Sequence, residues 1–85
     1  MRFNNDSDLY RTIGINIKYY REQAELTQTQ LAERSQISLS YLSKVEAAGC
    51  NKSVSISALN QIANALNIEI ENFFKEVHKN AQSSK

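Results

Sequence analysis

Apolar residues recur along this chain at helical intervals, in five stretches separated by short polar breaks. In the first, Leu9, Ile13, Ile17, Tyr20 and Ala24 follow one another at steps of four and three, one face of a helix expected from about Asp8 to Gln23. Asp6 or Asp8 can cap its start. Gly14 stands inside it at a cost of about 1 kcal/mol against alanine, which points to a close neighbour that needs the space. A second, shorter pattern begins at Thr27 and ends near Ser35. Thr27 and Gln30 have the spacing of a capping box, in which hydroxyl and amide each satisfy a free backbone N–H, and Leu31 and Ala32 face inward. A third begins after Ser38, another capping hydroxyl, and runs to about Ala47, with Gly49 as its stop. The fourth, from about Ile56 to Leu66, is capped by Ser55 and carries the broad stripe Ile56, Leu59, Ile62, Ala63 and Leu66; Asn67 can take the left-handed conformation that ends it. A fifth helix is expected from about Ile70 to His78, with Ile70, Phe73, Phe74 and Val77 apolar. No strand pattern and no internal repeat is visible. The class is therefore all-α, with one domain over residues 9–78, a flexible N-terminus over 1–8 and a disordered tail over 79–85.

The second and third patterns are unusual as a pair. They are short and joined by only a few residues. At about 100° per residue, Leu42 and Val45 line the inner edge of the third helix, while Ser40, Ser43, Lys44 and Ala47 lie on its opposite side. A helix that buries one narrow edge and holds a polar face outward is built to present that face to something.

The stretches "IGINIKYYRE", "LTQTQLAERSQIS", "SYLSKVE" and "ISALNQIANALNIEIENFF" together resemble the Cro and phage-repressor type of helix-turn-helix domain, the xenobiotic-response-element family. The resemblance runs from Ile13 to Phe74 and rests on Gln28, Leu31, Ala32, Ile37, Ser38, Leu42, Val45, Glu46, Leu59, Ile62, Ala63 and Leu66. It implies a five-helix bundle of the lambda-repressor kind, whose third helix enters the DNA major groove, usually as a dimer on a two-fold site. It also implies roles. Thr27 and Gln28 match positions that bind phosphate, where backbone N–H groups at a helix start already favour an anion. Leu39, Ser40, Ser43 and Lys44 match positions facing base edges. Arg21 and Glu46 match a pair that ties the first helix to the end of the third.

Several residues keep two readings. Lys44 reaches guanine or a phosphate, or is a solvated charge. Leu39 contacts a thymine methyl or folds back into the core. Tyr41 lies against the sugar-phosphate backbone or covers the edge of the core; it joins Ser38 among the candidate phosphate contacts. Asn51 and Lys52 lie in "AAGCNKSVS", a loop the family uses for phosphate, here about one residue longer than is typical. Gln36 stands where the family often has glycine; a left-handed backbone would be strained there, so a rearranged turn is expected. With leucine and serines in the reading positions, few direct hydrogen bonds to bases are on offer, and DNA shape is expected to carry part of the specificity.

Composition narrows the rest. At 85 residues and 41% hydrophobic, with no proline and two glycines, the chain fits one small helical core. The net charge of +1 argues against strong non-specific binding to nucleic acid, so any positive face must come from placement. No apolar run approaches the roughly 20 residues that span a bilayer, no leader pattern is visible, and the cytoplasm is the expected location. One cysteine, Cys50, cannot form an internal disulfide, and His78 stands alone. No metal spacing, catalytic set or phosphate-cradling glycine loop is present, so neither an enzyme nor a cofactor nor a small-molecule effector is expected. Ile68, Ile70, Phe73, Phe74 and Val77 exceed what one face of a short helix needs and are expected to form a homodimer contact, joined by Leu9 and Tyr10. The expected function is a DNA-binding transcriptional regulator acting as a homodimer on a two-fold operator. The rivals are an antitoxin of the same fold and a protein-interaction module that has lost DNA binding.

Overall fold

A computed structural model of the chain describes residues 2–47 and 54–76. Four α-helices, α1 (Asp6–Gln23), α2 (Gln28–Ser35), α3 (Leu39–Glu46) and α4 (Ile56–Leu66), are followed by a 3-10 helix over Ile70–Phe74. No strand occurs among the described residues. The expected fifth α-helix is thus a short 3-10 turn within the described segment, and its expected end, with Val77 and His78, lies outside those residues. The first helix starts at Asp6, within the stretch expected to be flexible, because Asn5 rather than Asp6 or Asp8 accepts from a first-turn N–H, that of Asp8, at 2.9 Å.

Capping chemistry fixes the other starts. The Thr27 hydroxyl accepts from the Gln30 N–H at 3.1 Å while the Gln30 amide oxygen accepts from the Thr27 N–H at 2.9 Å, the reciprocal box read from the sequence. Ser38 and Ser55 cap α3 and α4 through the N–H groups of Tyr41 and Ala58, each at 3.0 Å. Each such cap contributes about 1 kcal/mol.

The ends of α1, α2 and α4 share one device, while α3 ends on an extended Ala47. Glu25, Gln36 and Asn67 all adopt φ near 60°, in the left-handed region. After each, the next N–H reaches back five residues: Leu26 to Arg21 at 3.1 Å, Ile37 to Ala32 at 3.1 Å and Ile68 to Ala63 at 3.0 Å. This is the Schellman pattern, and the residue that makes the long bond is apolar and packs against the core every time. Gln36 therefore keeps the left-handed turn. Its backbone cost, roughly 1–2 kcal/mol for an L-residue, is offset by the capping bonds and by burial of Ile37, and no rearranged turn is needed.

The core is built from Ile13, Ile17, Leu31, Ala32, Leu42, Val45, Leu59, Ile62, Ala63 and Phe73. Full burial of a side chain such as Leu42 or Phe73 contributes about 1.5–3 kcal/mol. Helix α2 packs mainly on α4 and α3, and α1 packs on α3 and on the 3-10 helix. Gly14 meets the backbone of α3: a methyl group there would collide with the Val45 carbonyl oxygen. Close approach of α1 to the end of α3 is the reason for glycine at that position. Ile56, expected on the inner stripe, is the first residue of α4 and is 68% exposed.

One polar residue sits in the middle of this packing. Asn16 is fully buried on the apolar face of α1, and its Nδ2 donates to the carbonyls of Phe73 and Lys75, each at 2.9 Å. It latches the chain's closing segment to α1. Phe73 beneath that latch is fully buried, with Tyr20 edge-on at 6.3 Å between ring centroids. This corrects the expectation that Phe73 belongs to a dimer contact: its ring is consumed by the monomer core.

Candidate nucleic-acid interface

The outer face of α3 is set by what its inner face must bury. Leu42 and Val45 are in the core, so the helix can present only the opposite side. Ser40 and Lys44 are exposed there, Ser43 is half-buried at its edge, and Leu39, at the first position of the helix, is 44% exposed. Leu39 therefore faces outward and is not part of the core.

Beside this face runs a chain of polar contacts that starts deep in the protein. Glu46, the last residue of α3, is buried, and its carboxylate takes a two-pronged contact from Arg21 of α1: Nε to Oε2 at 2.9 Å and Nη2 to Oε1 at 3.1 Å. The third guanidinium nitrogen donates to the Leu26 carbonyl at 2.7 Å, so Arg21 also holds the chain just before α2. Planar guanidinium and planar carboxylate leave little rotational freedom, which is what a strut between helices requires. Gln28, at the start of α2, donates from Nε2 to Glu46 Oε1 at 3.0 Å, and its Oε1 accepts from the Ser43 hydroxyl at 3.0 Å. Three helices are thereby tied at one point, and the tie ends on the exposed side of α3.

The expected phosphate contacts sort differently. Thr27 is exposed at the start of α2, and the capping box uses its N–H and that of Gln30; helix geometry leaves the N–H groups of Gln28 and Thr29 pointing outward. Gln28 keeps one amide N–H beyond the bond to Glu46. Ser38 is exposed at the start of α3 and retains its hydroxyl proton, because its oxygen only accepts in the cap. Tyr41 is half-buried against the core, and its hydroxyl accepts from the Ser55 N–H at 3.2 Å, bracing α3 against the start of α4. Asn51 and Lys52 lie outside the described residues, as do Gly49, Cys50 and Val77. Of the expected dimer contacts, Ile68, Ile70 and Phe74 are half-buried on the rim of the core, as are Leu9 and Tyr10.

Two short helices joined by a left-handed turn, the second held with its polar side out, are the geometry of a helix-turn-helix, and residues 17–73 match the helix-turn-helix family model. The chain belongs to that family, in its Cro/C1-type branch. These helix-turn-helix proteins are DNA-binding regulators rather than enzymes. Over 59 residues the chain is 42% identical to the immunity repressor protein of Bacillus phage phi105; the match covers 69% of this chain and 40% of that repressor, so the chain spans well under half of the relative's length. The fold superposes on the restriction-modification controller protein C.AhdI from Aeromonas hydrophila with a TM-score of 0.70 at 29% identity, covering 76% of this chain and 96% of that one. The clp gene regulator ClgR from C. glutamicum gives 0.69 at 29% identity over 76% of this chain and 82% of its own. A hypothetical transcription factor, NHTF from Neisseria, gives 0.76 over 98% and 93% of the two chains; at 18% identity that likeness speaks to the helix-turn-helix fold alone. No helix among the described residues is long and apolar enough to cross a membrane.

One contributor to this site is not visible in the residue pattern, and one buried anchor outside it is. The link from Gln28 to Ser43 joins residues on different helices, which periodicity along one helix does not report. Asn16 could have been found: it falls between Ile13, Ile17 and Tyr20 on the buried stripe of α1, where a polar side chain needs a partner.

Proposed function

We propose that the chain is a sequence-specific transcriptional regulator of the cytoplasm that binds an operator in double-stranded DNA as a homodimer. One observation carries this reading: the buried Arg21–Glu46 contact ties α3 to α1 while Leu39, Ser40 and Lys44 stand exposed on the outer side of α3. A major groove about 12 Å wide admits such a helix. Leu39, Ser40, Ser43 and Lys44 face the base edges. Thr27, Gln28, Ser38 and Tyr41 meet the phosphates that flank them, joined by Asn51 and Lys52. In a two-fold dimer, with Ile68, Ile70 and Phe74 at the contact, the two reading helices fall about 34 Å apart, one turn of DNA. Doubling matters here, because one copy offers a leucine, two short hydroxyls and a single lysine to the bases.

The test is binding of the full chain to duplex DNA from upstream of its own gene, followed by fluorescence anisotropy at several stated salt concentrations, with sedimentation to give the oligomeric state. The expected result is a saturable complex of two chains per duplex. Lys44→Ala should weaken it, by about 1–3 kcal/mol if the lysine holds guanine, or with a salt slope lower by about 1 if it holds a phosphate. A folded dimer that shows no complex even at low salt would overturn the reading.

A further inference from the structure

The direction of each hydrogen bond in the network beside α3 is fixed by the one before it. Both oxygens of Glu46 accept from Arg21, and Oε1 accepts again from Gln28. A carboxylate held by a guanidinium offers no proton, so the group of Gln28 that faces it must be the amide nitrogen. The amide oxygen then faces the other way, toward Ser43, at 3.0 Å. That oxygen cannot donate, so Ser43 must. A serine hydroxyl has one proton, and here it is committed inward.

We infer that Ser43 is a reader of one polarity: with its proton held by Gln28, it turns only lone pairs to the groove and accepts from an exocyclic amino group, adenine N6 or cytosine N4. This inference rests on the proposed DNA-reading role of α3. A free serine serves donor and acceptor edges alike. This one disfavours the guanine and thymine edges, whose O6, N7 and O4 atoms also only accept. Gln28 is then a positioning residue for specificity as well as a phosphate contact, and the buried ion pair sets a base preference from a distance. Ser43 is half-buried at the margin of the exposed face, with its proton turned to Gln28.

The experiment selects binding sites from a randomised duplex library with the full chain, as wild type, Ser43→Ala and Gln28→Ala, with melting curves to establish that each variant is folded. Wild type should enrich adenine or cytosine at one position of each half-site by about tenfold, the size of one hydrogen bond. Ser43→Ala should flatten that position alone. Gln28→Ala frees the serine proton and should admit guanine and thymine at that same position, on top of a uniform loss of affinity. A readout that needs no folded Gln28 variant uses the selected duplex with the amino group removed, purine for adenine or pyrimidin-2-one for cytosine. Wild type should lose about tenfold in affinity on that duplex and Ser43→Ala should lose nothing further. An identical base profile for wild type and Ser43→Ala, or a flattened position that had favoured guanine or thymine, would overturn the inference while leaving DNA reading intact. A wild-type chain that enriches no sequence would overturn both.

Discussion

Helix α1 carries two buried polar anchors, Asn16 and Arg21, and they hold different parts of the chain in different ways. Asn16 is neutral, and its amide ends on two backbone carbonyls of the closing segment, where nothing further depends on it. Arg21 is charged, and its guanidinium begins a line that passes through Glu46 and Gln28 to Ser43 at the surface. The first is a latch and the second is a strut with a working end. A neutral amide can donate to any carbonyl within reach, so the latch tolerates small shifts. A planar ion pair fixes orientation, and it is found where the orientation of α3 decides what the outer face can meet. The cost of that choice is sensitivity, because removing one charge leaves the other buried without a partner.

That difference can be broken most forcefully at Glu46. Glu46→Gln keeps the shape and removes the charge, leaving Arg21 buried beside a neutral amide; a loss of about 3–5 kcal/mol is expected. Against a total of about 5–15 kcal/mol for a domain, the loss is severe, and it should appear in urea titration and as a fall in Tm of about 4–8 °C per kcal/mol. An unchanged midpoint would remove the distinction between strut and latch.

Asn16→Ala should cost less, about 1–3 kcal/mol, chiefly from the Phe73 carbonyl left unpaired in the core. The damage should stay local. Amide exchange should quicken over Ile70–Phe74 while operator affinity, measured below the new melting point, stays within about twofold. If affinity fell as far as it does for a reading residue, the two anchors of α1 would be coupled and the contrast would fail.

The smallest effect expected is a gain. Gln36→Gly relieves the left-handed backbone at the turn between α2 and α3 and should stabilise by up to about 1 kcal/mol, less the entropy glycine adds to the unfolded chain. Because the ion pair and not the turn orients α3, operator affinity should not change. A stabler variant with weaker binding would assign the orientation to the turn instead.

Legibility of the fold from residues alone follows the range of the forces involved. Helix starts at Thr27, Ser38 and Ser55 were legible because a cap is a contact over three residues. The left-handed ends at Glu25 and Gln36 were not, since neither residue type signals that conformation; the signal was the apolar residue that follows each one, Leu26 or Ile37, beside the end of a helix. The closing turn was read as an α-helix because Ile70, Phe73, Phe74 and Val77 fit that period. The Phe73 and Lys75 carbonyls at its end are taken by Asn16, a tertiary contact that no local period reports. In the site, the outward face of α3 followed from periodicity, and the pairing of Arg21 with Glu46 came from family resemblance. The step from Gln28 to Ser43 requires the relative placement of two helices, which no local pattern contains.

The brace between the Tyr41 hydroxyl and the Ser55 N–H has a consequence for engineering. It joins two points on either side of the connecting stretch between Ala47 and Val54, so the start of α4 is registered on α3 independently of how many residues the connection holds. Insertions placed there should leave the neighbouring helices in register while disturbing the proposed phosphate contacts of Asn51 and Lys52, which separates the two jobs of that connection.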